Sequence, residues 1–261
     1  MVEEYEESGS LVTDKREIAT GETWESQSDW EAYQSINNVE IENGIISLST
    51  FEPSLIPDSG LQHDYDATAL TLNDGDSVDT LPDNQGSNDL SGSGTFDADG
   101  INGQPAVFYD GSESHSSTVQ PFSSQYSIHI VNLHSTTSQD AGLAELSSVR
   151  VRNSPETDER NITHSGEFNS QDGVATTNPE VWSVRYGDQF STTPDFRVNG
   201  VDEPLNDGGG LNTSDLTEIG ASTDGAFNGH IGRVLVYDIE QSDNDFTTAH
   251  DELLDQFSIS T

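Results

Sequence analysis

The sequence predicts an all-β fold: an antiparallel two-sheet sandwich with one C-terminal helix and an N-terminal extended arm or small β segment. Three observations lead there. From Leu61 onward, short alternating segments are separated by clusters of Gly, Asn, Asp and Ser. Near the end of the chain the apolar period changes from two to that of a helix. Residues 1–60 differ from the rest, with a Glu-rich start and then two tryptophans.

The arm holds Trp24, Trp30 and Tyr33, then two strand-like runs, Val39-Glu40-Ile41 and Ile45-Ile46-Ser47-Leu48. The Asn43-Gly44 pair between them is a hairpin signal, because Asn and Gly tolerate positive φ. Pro53 and Pro57 suit a linker, since proline cannot donate to a β ladder. The expected domains are therefore 1–60 and 61–261, with the boundary around Ser59. In the second domain the clearest strands run from Gln104 to Asp110, Gln125 to Asn132, Val149 to Arg152, Val181 to Tyr186, Asp195 to Val198 and Ile231 to Tyr237. Asn199-Gly200 joins Phe196-Arg197-Val198 to Val201-Asp202-Glu203 as a second hairpin. Ser242 followed by Asp245 resembles a capping box, and Phe246, Ala249, Leu253 and Phe257 then recur at helical spacing. An amphipathic helix from Ser242 to Phe257 is expected to close the sandwich.

Charge narrows the function classes. Among 261 residues, 48 acidic side chains face 8 basic ones, a formal net charge of −40, and Lys15 is the only lysine. Such a surface disfavours nucleic acid and other polyanions as partners. It also repels itself in dilute buffer, where charges act over a Debye length of roughly 10 Å, and far less in molar salt, where the length is roughly 3 Å. Apolar residues in strand-like blocks argue against acidic disorder, so the charge points to a strongly salty setting: a haloarchaeon or its virus. Cysteine is absent, which removes disulfides, thiolate metal sites and cysteine nucleophiles. No run approaches the roughly 18 apolar residues of a membrane span, and the acidic first residues lack the pattern of an export signal.

Two stretches carry a resemblance. The first is Leu72-Asn73-Asp74-Gly75-Asp76-Ser77-Val78, followed by Leu81-Pro82-Asp83 through Leu90, then Ile101-Asn102-Gly103 through Asp110-Gly111. The second is Phe196-Arg197-Val198-Asn199-Gly200, then Leu216 to Gly220, then Phe227-Asn228-Gly229 through Asp238. Together they resemble the laminin G-like, concanavalin A-like jelly-roll domain over roughly residues 61–258. The resemblance implies an exposed turn at the first stretch, an Asp-Gly corner at Asp110-Gly111 and a long last strand before the helix. It also implies a binding module, with calcium held at a rim loop.

For calcium, Asp97, Asp99 and Asn102 are the candidate ligands, their oxygens alternating around a glycine turn. Catalysis has less support. Related jelly-roll glucanases use a Glu-x-Asp-x-x-Glu or Glu-x-Asp-x-Glu run, and neither occurs; Glu40-Ile41-Glu42 and Asp238-Ile239-Glu240 lack the third acid. The seven histidines, at 63, 115, 129, 134, 164, 230 and 250, have no zinc-binding spacing, and a surface or strand role is expected for each. There is no Gly-x-Ser-x-Gly elbow. Trp182, Tyr186, Tyr109 and Tyr237 could face a sugar, but strand aromatics more often fill a core. Sequons stand at Asn161-Ile162-Thr163 and Asn212-Thr213-Ser214, and no glycans are expected on them.

These readings converge on a non-enzymatic surface protein of a halophilic archaeal virus: a turret, decoration or tail-fibre subunit. It would bind host-surface glycan or S-layer protein and form a homo-oligomer, trimer or pentamer, with other virion proteins. Its arm would make the inter-subunit contacts, since its apolar residues need a partner surface. The alternatives are a haloarchaeal extracellular or cell-surface carbohydrate-binding protein and, third, a jelly-roll glycoside hydrolase. Because like charges are screened only by salt, the melting temperature is expected to fall as NaCl is lowered from molar to millimolar. Differential scanning calorimetry across that range checks this, and an unchanged melting temperature would show that the acidic surface carries no cost.

Overall fold

The computed structural model describes residues 55–119, 125–137, 141–146, 149–153, 159–163, 167–187, 194–206, 217–222 and 225–261, together with short strands within 6–48. The chain divides into two units, Met1–Ser54 and Leu55–Thr261. In the first, three antiparallel pairs form: β1 (Glu6–Glu7) with β2 (Ser10–Leu11), β3 (Arg16–Glu17) with β4 (Thr23–Trp24), and β5 (Val39–Glu42) with β6 (Ile45–Leu48). Glu42 opposes Ile45, the register expected around Asn43-Gly44. Trp30 and Tyr33 lie outside the described residues.

The second unit continues with β7 (Leu61–Asp66), β8 (Thr80–Leu81), β9 (Leu90–Gly92), β10 (Thr95–Ile101), β11 (Gln104–Asp110), β12 (His115–Ser117) and β13 (Tyr126–His134). Next come β14 (Ala141–Leu146), β15 (Val149–Asn153), β16 (Glu159–Thr163), β17 (Glu167–Val174), β18 (Glu180–Tyr186), β19 (Asp195–Val198), β20 (Val201–Asp202) and β21 (Leu205–Asn206). The chain ends with β22 (Thr217–Ile219), β23 (Ala221–Ser222), β24 (Gly225–Ala226), β25 (Asn228–Tyr237) and the helix α1 (Asp243–Gln256).

These strands make a two-sheet jelly-roll sandwich. One sheet runs β10-β11-β25-β13-β18-β19-β20, with β7 also on β25; the other runs β21-β17-β16-β15-β14-β22-β12-β9-β8, with β23 and β24 attached. Pairing is antiparallel throughout the described strands except for one bridge between β14 and β24. All six strands foreseen in the sequence are present, and β25 and β13 extend beyond their apolar runs into Asn-Gly and Leu-His.

The first sheet is buried on both faces, which explains why its central strands read as nearly continuous apolar runs. One face, with Ile128, Ile130, Trp182, Val184, Val234 and Val236, packs on the second sheet. The other, with Val131, Val181, Leu235 and Tyr237, packs under α1 through Leu253, Leu254 and Phe257. Alternation along each strand divides the side chains between the two cores. Ser242 caps α1 by accepting a hydrogen bond from Asp245 N, and Phe246, Ala249, Leu253 and Phe257 are all buried, as their spacing predicts.

Turn chemistry sets the register. Asn199 and Gly200 adopt φ of 46° and 82°, the left-handed pair that a two-residue hairpin requires. Asn102 and Gly103 do the same at 51° and 79° between β10 and β11. The Asp110-Gly111 corner forms as expected, Asp110 Oδ1 accepting from both the backbone and the hydroxyl of Ser112. In the loop after Leu81, the Asp83 carboxylate accepts from Asp64 N, Gln85 N and Asn88 N and bonds His63 Nδ1 at 2.7 Å. Burial alone would raise the Asp83 pKa, but these bonds hold it below the usual carboxylate range.

At Gly232, on β25 beneath the helix end, a Cβ would stand 2.4 Å from the Phe257 ring. Gly232→Val is therefore expected to lift the end of α1 and destabilise the fold by about 1–3 kcal/mol. Thermal melts at molar salt check this, and Phe257→Leu in the same background should recover part of the loss.

Candidate functional site

The β19–β20 hairpin and the first turns of α1 enclose a cleft of about 600 Å³. Arg185, Asp195, Arg197, Asp202, Glu203, Asp243, Phe246 and Thr247 contribute to its walls, with Pro194, Phe196, Pro204 and Leu205 between them. Strand alternation puts Arg185 and Arg197 on the α1 face of the sheet, opposite Val184 and Phe196, which fill the inter-sheet core. Both guanidiniums lie near the Phe246 ring, their Cζ atoms 4.9 and 5.5 Å from its centroid. Arg185 donates to Asp195 Oδ2 from Nε and Nη2, to Asp243 from Nη2, and to Gln241 O from Nη1. Arg197 donates from Nε to Asp202 at 2.7 Å and from Nη1 to Thr247 Oγ1 at 2.8 Å. The cleft thus has guanidiniums at depth and carboxylates at its rim.

Behind the cleft lies a buried polar chain with a defined proton order. Gly200 N–H donates to His250 Nε2 at 2.8 Å, so His250 carries its proton on Nδ1 and donates it to Ser183 Oγ at 2.6 Å. The Ser183 hydroxyl then donates to His129 Nδ1 at 2.7 Å, and His129 Nε2–H donates to Gln241 Oε1 at 2.8 Å. A backbone N–H cannot reverse, so every tautomer downstream is fixed. The four side chains are fully buried and join β13, β18, the α1 approach and α1 itself. Burial pushes the His129 pKa down to about 4; the Gln241 bond opposes this and Arg197 adds to it. Burial, then His129 and Arg197, push His250 down to about 3. A Ser-His pair in such a chain is a structural link, closed to substrate.

Several expected residues fall elsewhere. Asn102 is a turn residue whose amide donates to the carbonyls of Phe257 and Ser258, tying the β10–β11 turn to the helix end. Asp97 accepts from Asp99 N and bonds His230 Nε2 at 2.9 Å. The structure thus engages Asp97 with Asp99 N and His230, and Asn102 with the helix end. Among the described residues, no three His, Asp or Glu side chains are placed to hold a metal. The signal that assigns Asn102 was local: it precedes glycine, as Asn199 does.

His63, His115, His129, His134 and His230 lie in strands, as expected, the first four buried and His230 partly so; His250 is buried in α1, which corrects the surface or strand role expected of it, and His164 lies outside the described residues. Trp182, Tyr109 and Tyr237 fill the cores and Tyr186 packs against them. Trp182 Nε1 donates to Glu180, whose other carboxylate oxygen accepts from Arg160 and Thr176. Asn161 is buried and bonds Arg152 Nε, which hides the first sequon; Asn212 lies outside the described residues. No helix among the described residues is long and apolar enough to cross a membrane.

No family description matches the chain, and no curated protein matches it. Solved structures do. The chain is similar to Trypanosoma rangeli sialidase in complex with sialic acid, at a TM-score of 0.54 and 11% identity over 90% of this chain and 39% of that one. With the same sialidase bound to 2,3-difluoro-KDN, the values are 0.54, 8%, 93% and 42%. Domain 4 of the extracellular GH43 arabinanase AbnA from Geobacillus stearothermophilus, solved with arabinotriose, gives 0.46 and 14% over 74% of this chain and 98% of that one. The chain spans about two fifths of the sialidase's length. At these identities the likeness to the sialidase is one of fold, a β-sandwich.

The buried histidines give stability a pH dependence of known sign. Their folded pKa values lie below the ordinary value of about 6.5, so the unfolded chain binds more protons between about 6.5 and 4. Stability is therefore complete above pH 6.5 and lost as pH falls toward 4, each histidine adding a slope of up to about 1.4 kcal/mol per pH unit. Melting temperature at constant molar salt should drop between pH 7 and 5, and His250→Gln should flatten the slope while lowering stability at pH 7.

Proposed function

We propose that this chain is a non-catalytic, glycan-binding β-sandwich module of the laminin G-like type. The observation that carries the reading is the cleft between the β19–β20 hairpin and α1. Its volume, about 600 Å³, lies within the range of small-ligand sites, about 300–1,000 Å³. Its walls bring carboxylates, a hydroxyl and a guanidinium to one place, the groups that bond adjacent sugar hydroxyls from both sides. Arg197 uses Nε and one Nη1 proton on Asp202 and Thr247, which leaves the rest of its fork to meet a ligand. The AbnA domain solved with arabinotriose is in keeping with this reading, and the missing Glu-x-Asp-x-x-Glu run supports binding over hydrolysis.

The acid excess supports a high-salt setting, and we propose display on a halophilic virus particle contacting host glycan or S-layer, with a haloarchaeal cell surface as the second setting. Mass spectrometry of purified particles against cell envelopes separates the two. The binding test is a glycan array at molar salt with wild type and Arg197→Ala, using Ser91→Ala, on a distant exposed strand, as control. Arg197→Ala should weaken retained glycans about tenfold, since a charged hydrogen bond is worth about 1.5–3 kcal/mol. Equal retention by the variant would place the site elsewhere, and hydrolysis products in the wells would overturn the non-catalytic reading.

A further inference from the structure

Resting on that glycan-binding reading, we infer that the cleft selects neutral, hydroxyl-rich sugars and rejects acidic ones. The first reason is the charge of its walls, where Asp195, Asp202, Glu203 and Asp243 stand against Arg185 and Arg197. The second is where those charges lie. The side chains of Asp202 and Asp243 are 78% and 85% exposed, while those of Arg185 and Arg197 are 18% exposed or less. A ligand entering from solvent therefore meets carboxylate oxygens first. These are acceptors only, and they are already oriented: Asp202 by Arg197, and Asp195 and Asp243 by Arg185.

Arg185 is the group that would otherwise recognise a sugar carboxylate, but it is occupied. Its Nε, Nη1 and Nη2 all donate within the protein, to Asp195, Gln241 O and Asp243, so a uronate or sialate would have to displace existing partners. Arg197 keeps part of its fork, which requires an acceptor on the ligand. A hydroxyl satisfies both conditions, donating to the rim carboxylates and accepting from Arg197, whereas an ammonium cannot accept and a carboxylate cannot donate.

The test is a binding series on the full chain by calorimetry at molar KCl and pH 7. Neutral probes are arabinotriose, maltotriose and cellotriose; acidic probes are trigalacturonate and sialyllactose. A neutral probe is expected to bind at least tenfold more tightly than either acidic one, about 1.4 kcal/mol. Asp202→Asn and Asp195→Asn, each confirmed as folded by its melting curve, should narrow that gap to threefold or less by improving acidic binding. An acidic probe that binds as well as the neutral ones overturns the selectivity and leaves the glycan reading standing. A gap unchanged in both folded variants removes the rim carboxylates as its cause and also overturns the inference. If no sugar of either class binds, the glycan reading fails and this inference fails with it.

Discussion

Scarcity of positive charge is the constraint on which the sandwich depends. Its six arginines are Arg150, Arg152, Arg160, Arg185, Arg197 and Arg233, and four of them tie together elements that packing alone would leave loose. Arg233 joins β25 to Asp64 and Asp66 of β7 and reaches Gln256 at the end of α1. Arg160, on the second sheet, crosses to Glu180 on the first and to Glu203 beyond β20. Arg185 and Arg197 hold the start of α1 against β18 and β19. With carboxylates in sixfold excess over cations, each guanidinium can be saturated wherever the fold puts it. The Arg160 and Arg233 pairs are largely buried, so the molar salt that relieves surface repulsion screens them less.

Features written in neighbouring residues were legible in the sequence. Strand alternation, the Asn199-Gly200 turn and the helical spacing of Phe246, Ala249, Leu253 and Phe257 are short-range signals, and the structure reproduces them closely. The cleft and the polar chain behind it were not legible, because their parts are far apart in sequence. His129 meets Gln241 across 112 positions, and Ser183 meets His250 across 67. No spacing rule links such pairs. Asn102 carries two local signals: acidic neighbours at Asp97 and Asp99 suggest an oxygen cage, and the Asn-Gly pair gives the residue a turn to make, which the structure shows.

The two-faced burial of the first sheet also explains where the cleft lies. Its broad faces are covered by the second sheet and by α1, so the aromatic residues that might stack on sugars are enclosed: Trp182 satisfies Glu180, and Tyr109 bonds His115 Nδ1. Among the described residues, an opening beside the first sheet lies at the seam where α1 begins and the sheet ends in the short β19–β20 hairpin. Polar side chains gather there because alternation directs every second residue of β18 and β19 toward α1 at its wetter end. The site is thus a consequence of how one helix closes one sheet.

The Asn199-Gly200 turn links the legible part of the molecule to the hidden part. Asn-Gly is there because both residues must take positive φ, a local requirement. Once formed, the turn directs Asn199 Oδ1 to Val181 N, which fixes the hairpin against β18, and Gly200 N to His250 Nε2. That second bond sets the proton order of His250, Ser183, His129 and Gln241 in succession, and with it the neutral state of both histidines. The same hairpin carries Arg197 and Asp202 into the cleft. One dipeptide chosen for its backbone therefore supports the register of the edge, the attachment of α1 and the placement of two residues that line the cleft.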